Sequence, residues 1–177
     1  MQIVPAAPRI LIVEPNKNAL GVMARRLSEA GYRVAVSSSA TDAVAELHRA
    51  PVALLLCELR MPTMSGTELT RLVRDDSALR DLPVILITGR SDTNGAVEGF
   101  AAGADDVVAK PFDFEVLLAR IAQRLAKARA VHELRQDNAT LDARVTTRAI
   151  ELGEMRAAFA ASEAERRRLS SMLRQPD

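Results

Sequence analysis

The chain has 177 residues, close to half of them hydrophobic, with 24 lysines and arginines against 23 aspartates and glutamates. That length accommodates one ordinary domain plus an extension, and a net charge of +1 offers no global pull toward nucleic acid or an anionic membrane. Aromatic residues make up 3% and tryptophan is absent, so an aliphatic core is expected, and the longest apolar runs are far short of a membrane span.

Residues 1–8 lack the basic start and long apolar stretch of a signal peptide and read as a short tail. Arg9 to Glu14 is an apolar run ending in a carboxylate. Leu20, Met23, Ala24 and Leu27 then recur at helical spacing, with Gly31 as the stop. Tyr32 to Val36 reads as a short strand and Thr41 to Arg49 as a helix with Ala43, Val44 and Leu47 on one face. Val52 to Leu56 is the central apolar strand, which runs on through Cys57 to Glu58 and into the turn Met61-Pro62-Thr63-Met64-Ser65-Gly66. Cys57, the one cysteine, reads as a buried small hydrophobe. A disulfide within the chain is impossible, which fits a reducing, cytoplasmic setting. Ser65 with Glu68 forms a capping-box pattern for a helix over Thr67 to Arg74. Pro83 to Thr88 is another buried strand, Asp92 to Ala102 a helix stopped by Gly103, and Asp106 to Ala109 a short strand followed by Lys110-Pro111-Phe112. Asp113 then caps a helix with Val116, Leu117, Leu118, Ile121 and Leu125 apolar.

Alternating strands and helices, with strands apolar on both faces, predict an α/β protein: a doubly wound, five-stranded parallel sheet of flavodoxin-like type, strand order 2-1-3-4-5. Ligand sites in such sheets lie at the carboxyl ends of the strands. Those ends carry Glu14, Glu58, Thr88 and Lys110, which should converge on one cleft.

The stretch from Leu54 to Gly66 resembles the phosphoacceptor loop of response-regulator receiver domains, CheY-like modules that read apolar run, Asp, two residues, Met-Pro, two residues, a small or acidic residue, Gly. Thr88 resembles the family's hydroxyl switch residue, and Lys110-Pro111-Phe112 after Gly103-Ala104-Asp105-Asp106 resembles its lysine segment, in which the Lys-Pro bond is usually cis at little cost. The resemblance spans residues 9–125. It implies Mg²⁺ held by an acidic pair and the acceptor Asp, attack of that Asp on a phosphoryl group carried by a partner histidine, and a lysine that neutralises charge.

Several positions depart from that pattern. The acceptor position is Glu58. Of the acidic pair, Glu14 remains, the second position is Pro15, and Asn16 is only a neutral candidate. Mg²⁺ binding is therefore expected to be weak or absent. One added methylene moves the carboxylate by about 1.5 Å, where about 1 Å of misplacement can cost roughly 100-fold in rate. Glu58 is expected either to imitate part of a phosphoaspartate's charge beside Lys110 or to form a structural ion pair with it. Val107 stands where the family has an aromatic switch and cannot swing a polar-tipped ring. For Thr88 the plainer reading is a hydroxyl that caps the following loop, and for Met61 and Met64 it is packing.

From Lys127 onward Ala, Arg, Glu and Leu dominate. A seam at alternating steps of three and four runs through Val131, Leu134, Asn138, Leu141, Val145, Arg148, Leu152, Met155, Phe159, Ser162, Arg166, Leu169 and Leu173. This is a coiled-coil heptad pattern with Asn138 at an a position, which favours a two-stranded parallel pairing. Arg148 and Gly153 weaken it, and the helix is expected to kink or fray past Arg148. A helix so long and polar needs a partner. His132 sits in Val131-His132-Glu133-Leu134-Arg135, which looks like a kinase phosphoacceptor box but breaks off at Gln136-Asp137. It and Arg166-Arg167-Arg168 read as solvated positions.

The domain organisation that follows is a tail over 1–8, a receiver-like domain over 9–125 and a coiled-coil helix over 126–177. The function that follows is a non-enzymatic, dimeric adaptor that binds a signalling protein, such as a histidine kinase or an output protein, independently of phosphorylation, without nucleic-acid or membrane partners. The alternatives are a working phosphorelay receiver accepting phosphate at Glu58 or His132, or the receiver and linker of a regulator whose output domain is missing.

Overall fold

The computed structural model describes residues 6–90, 92 and 94–172. Most of the N-terminal tail and the last seam residue, Leu173, lie outside the described residues. Five strands alternate with five helices: β1 (Arg9–Val13), α1 (Lys17–Glu29), β2 (Arg33–Ser37), α2 (Ala40–Arg49), β3 (Leu54–Glu58), α3 (Gly66–Asp75), β4 (Val84–Thr88), α4 (Gly95–Ala101), β5 (Asp106–Ala109) and α5 (Phe114–Met172). All strand pairings are parallel, and the order across the sheet is β2-β1-β3-β4-β5. This is the flavodoxin-like order that the alternating pattern predicts.

The apolar runs form strands because the pleat sends successive residues to opposite faces, and helices cover both. On one face Leu11, Val13, Leu55, Cys57, Val84 and Leu86 pack with Ala43 and Leu47 of α2 and Leu69 and Val73 of α3. On the other, Ile10, Ile12, Leu54, Leu56, Ile85 and Ile87 pack with Met23 and Leu27 of α1 and Phe114, Leu117 and Ile121 of α5. Every residue of β3 and β4 is buried, whereas β2, at an edge, leaves Val36 half exposed.

Most element ends fall within two residues of those predicted. The exception is α4, which starts at Gly95 rather than Asp92. Asp92 is instead held outside the helix by side-chain bonds to Arg60 and Thr88. The expected capping box is present: Ser65 Oγ accepts from the Glu68 N–H, and the Glu68 carboxylate accepts from the Ser65 N–H.

Three guanidinium groups tie elements together across the chain. Arg74, near the end of α3, donates to the carbonyls of Gly103, Arg80 and Leu82 and to Asp105 Oδ2, which also accepts from the Val84 N–H. Arg120 reaches the buried Asp106 through both carboxylate oxygens at 2.9 and 3.0 Å. Arg9 bonds Glu46 and the carbonyl of Ala50.

Two compact units, 1–130 and 131–177, divide the chain. The second is helical through its described residues, and the helix passes Arg148 and Gly153 without interruption. The expected fraying is not seen among the described residues. A single glycine costs about 1 kcal/mol, which a run of good helix formers absorbs. Seam residues Leu134, Leu141, Val145, Leu152, Met155 and Phe159 are exposed on this single chain.

The close backbone approach at Gly66 marks a position that tolerates only glycine. A Cβ on Gly66 would lie 2.5 Å from the Glu58 carbonyl oxygen, whereas a Cβ on Gly21, inside α1, would meet nothing within 4 Å. Gly66→Ala is therefore expected to destabilise by more than about 2 kcal/mol. Gly21→Ala should stabilise by about 0.5–1 kcal/mol. Urea unfolding of the two variants checks the pair.

Candidate functional site

Strand register builds the site. Val13 pairs with Cys57, Glu58 with Ile87 and Thr88 with Ala109. The tips Glu14, Glu58, Thr88 and Lys110 therefore end side by side on the same edge of the sheet. Lys110 follows β5 directly, its backbone N–H donating to the Thr88 carbonyl at 2.8 Å, and the Lys110-Pro111 bond is cis.

The lysine bridges the two acids. Lys110 Nζ donates to Glu14 Oε2 at 2.7 Å and to Glu58 Oε2 at 2.6 Å. Side-chain exposure is 5% at Glu14 and 11% at Glu58, against 36% at Lys110. Buried carboxylates require such a partner, because leaving either unpaired in this setting is costly. Burial alone would lower the lysine's pKa, but the hydrogen bonds and charges of the two glutamates outweigh it and raise the pKa above the ordinary lysine value. The remaining oxygens take backbone donors: Glu14 Oε1 accepts from the Asn16 N–H at 2.9 Å, and Glu58 Oε1 accepts a long 3.4 Å contact from the Arg60 N–H. Cys57 stays inert behind them, its thiol pKa pushed up by burial and by the charges of Glu58 and Glu14.

The other predicted positions fall around this bridge. Pro15 offers no side-chain donor. Asn16, a neutral candidate ligand by sequence, is engaged elsewhere, since its Oδ1 accepts from the Asn18 and Ala19 N–H groups and caps α1. Thr88 Oγ1 donates to Asp92 Oδ2, in the loop after β4, at 3.2 Å. Val107 packs against α4, where a Cβ on Gly99 would come within 2.8 Å of its Cγ2. Met61 and Met64 are partly buried against the core, as packing residues. Thr63, between them, has φ 69° and centres a turn closed by the Met64 N–H on the Pro62 carbonyl at 2.8 Å. Left-handed backbone at a β-branched residue is uncommon.

Beside the lysine, a groove of about 520 Å³ opens between α1 and the segment 110–114, lined by Val22, Met23, Arg26, Lys110, Phe112 and Phe114. The Arg26 guanidinium lies 4.2 Å from the centroid of the Phe114 ring. His132 lies in the second compact unit, 131–177. It is exposed, within bonding distance of Gln136 Nε2 at 2.8 Å.

Sequence reasoning missed Arg60 and its partners. Arg60 Nε and Nη2 donate to the two oxygens of Asp92 at 2.7 and 3.0 Å, and Nη2 also reaches Glu98 Oε2 at 2.8 Å. No periodicity announces a pair 32 residues apart. The signal available was a cation two residues beyond Glu58, at the mouth of the expected cleft.

An open parallel sheet with acid, acid, hydroxyl and lysine at adjacent strand tips is the arrangement expected of a receiver domain. The family model for the response regulator receiver domain matches residues 10–122, and the chain belongs to that family, the receiver domains of two-component signalling. Response regulator ArlR of Staphylococcus aureus is 35% identical over 113 residues, which cover 64% of this chain and 50% of ArlR. The chain thus matches about half the length of such curated relatives. Among solved structures, the receiver domain of a signal transduction histidine kinase from Syntrophus aciditrophicus is 32% identical, with a TM-score of 0.65, over 68% of this chain and 92% of that one. A CheY-like receiver domain protein from Methanospirillum hungatei is 27% identical, also with a TM-score of 0.65, over 70% of this chain and 98% of that one. No helix among the described residues is long and apolar enough to cross a membrane.

The raised lysine pKa has a pH signature. A raised folded value contributes stability that is complete below the unfolded value and is lost as pH rises through the folded one. The stability difference between the natural chain and Lys110→Met should therefore shrink as pH climbs past about 10.4, the ordinary lysine value, a range in which the variant's unpaired glutamates no longer take up protons. Urea midpoints across that range check it.

Proposed function

We propose that this receiver is a phosphorylation-independent interaction module, without catalytic turnover of its own, that presents its surface to a signalling protein such as a histidine kinase or an output protein. The observation that carries the reading is the bridge itself: the ammonium of Lys110 is shared between Glu14 and Glu58 at 2.7 and 2.6 Å, where a reactive site would need an aspartate and a metal. The donor set does not fit Mg²⁺. Two carboxylates are engaged by a lysine, the next residue is a proline, and the amide oxygen after it caps a helix. Mg²⁺ demands near-octahedral oxygen ligation, so binding is weak or absent. A cytoplasmic setting and the absence of nucleic-acid and membrane partners belong to the same reading.

The C-terminal helix completes the module as a parallel homodimer. Apolar seam positions spaced by heptads and exposed on one chain support self-pairing, with Asn138 fixing register. Sedimentation of the full chain should give a dimer, and Leu141→Asp should shift it toward monomer. A monomeric natural chain would end the dimer reading.

A second reading, a working phosphorelay receiver that accepts phosphate at Glu58 or His132, is favoured by the retention of Thr88 and Lys110 at the strand tips. Acetyl phosphate with Mg²⁺, followed by mass spectrometry, separates the two. The proposal expects no phosphate adduct, and beryllofluoride should leave the backbone resonances near Glu14, Glu58 and Lys110 unmoved. An adduct abolished by Glu58→Gln or His132→Ala would establish the second reading instead.

A further inference from the structure

The contacts of Arg60 reach beyond the acid–lysine bridge. Its guanidinium forms a two-bond fork with the Asp92 carboxylate, at 2.7 Å to Oδ2 and 3.0 Å to Oδ1. The same Oδ2 accepts the Thr88 hydroxyl at 3.2 Å. The same Nη2 that bonds Asp92 Oδ1 also reaches Glu98 on α4 at 2.8 Å. Backbone closes around the group: the Gly95 N–H donates to the Asp92 carbonyl at 3.2 Å, and a Cβ on Gly95 would lie 2.4 Å from Thr88 Oγ1 and 2.9 Å from Asp92 Cγ. The first residue of α4 is thus seated directly on the Thr88–Asp92 bond. Asp92 has 17% of its side chain exposed, against 51% for Arg60 and 44% for Glu98, so the carboxylate is the enclosed member and the cation covers it. Arg60 also holds the Asp92 carboxyl below the usual carboxylate range, so the fork is charged on both sides through neutral pH.

We propose that Arg60 is a positioning residue: through Asp92 it keeps the Thr88 hydroxyl engaged, and through Asp92 and Glu98 it fixes the start of α4, so that this region is set by an internal ion pair. The consequence falls on the α4 surface, where Val97 and Phe100 are 70% and 53% exposed. An apolar surface whose helix is anchored at its first turn is preorganised, and preorganisation lowers the ordering cost that a partner meets on binding. The fork geometry matters as well as the charge. A planar guanidinium satisfies both carboxylate oxygens at once, whereas an ammonium is a point charge and cannot reproduce the fork. This goes beyond the proposed function, because a residue that fixes α4 can be present whether or not Glu58 accepts phosphate.

Residue-resolved hydrogen exchange of the full chain tests it. Arg60→Ala should accelerate exchange at the amides of Asp92, Gly95 and Glu98 by roughly fivefold or more, while the amides of β1 and β3 keep their natural rates. Arg60→Lys should fall between the natural chain and Arg60→Ala. Asp92→Asn should reproduce Arg60→Ala, and the double variant should be no worse than either single one. Unchanged exchange at those amides in Arg60→Ala would overturn the proposal, as would acceleration spread evenly over the sheet or strictly additive effects in the double variant. Failure here leaves the phosphate-adduct result untouched, so the two readings fall separately.

Discussion

Two buried carboxylates at neighbouring strand tips cannot both stay ionised cheaply without a cation, and in this chain the cation is Lys110. The parallel sheet makes the encounter unavoidable. Register places Glu14 and Glu58 side by side, and the lysine leaves β5 toward them. Each additional methylene, from aspartate to glutamate, lengthens an acid toward the ammonium. The geometry is self-consistent as an ion triad: three charged groups, two buried acids and one lysine with access to water. A divalent ion would have to compete with the lysine for both acids at once.

Around that triad, polar side chains are occupied by neighbouring residues. Asn16 is taken by the first turn of α1, Thr88 by Asp92, and Arg60 by Asp92 and Glu98. A side chain held by a specific partner loses rotamer freedom once, during folding, and adds rigidity where loops would otherwise be mobile. Apolar packing does the same between α4 and β5, where a Cβ on Gly99 would come within 2.8 Å of Val107 Cγ2.

The sheet was legible in the sequence because apolar runs bounded by turn residues have few alternatives, and strict alternation with helices makes the strands parallel. Glu14, Glu58, Thr88 and Lys110 were legible for the same reason: each is the first polar residue after such a run. What could not be read were contacts set by tertiary geometry alone. The start of α4 shifted because Asp92, a good cap by composition, is pulled toward an arginine 32 residues earlier. Asn16 looked like a possible ligand only while its neighbours in space were unknown. The interruption expected after Arg148 did not occur, since propensity costs at isolated positions are small beside the cooperativity of a long helix.

Arg74 gathers three carbonyl oxygens and one carboxylate from the segments that lead into β4 and β5. These acceptors lie at the amino-terminal margin of the sheet, opposite the acid–lysine triad. One side chain therefore acts as a keystone for the quiet end of the molecule, and lysine, with a single nitrogen, could not span the same set. That margin therefore carries its own brace, separate from the charged residues that meet at the opposite rim.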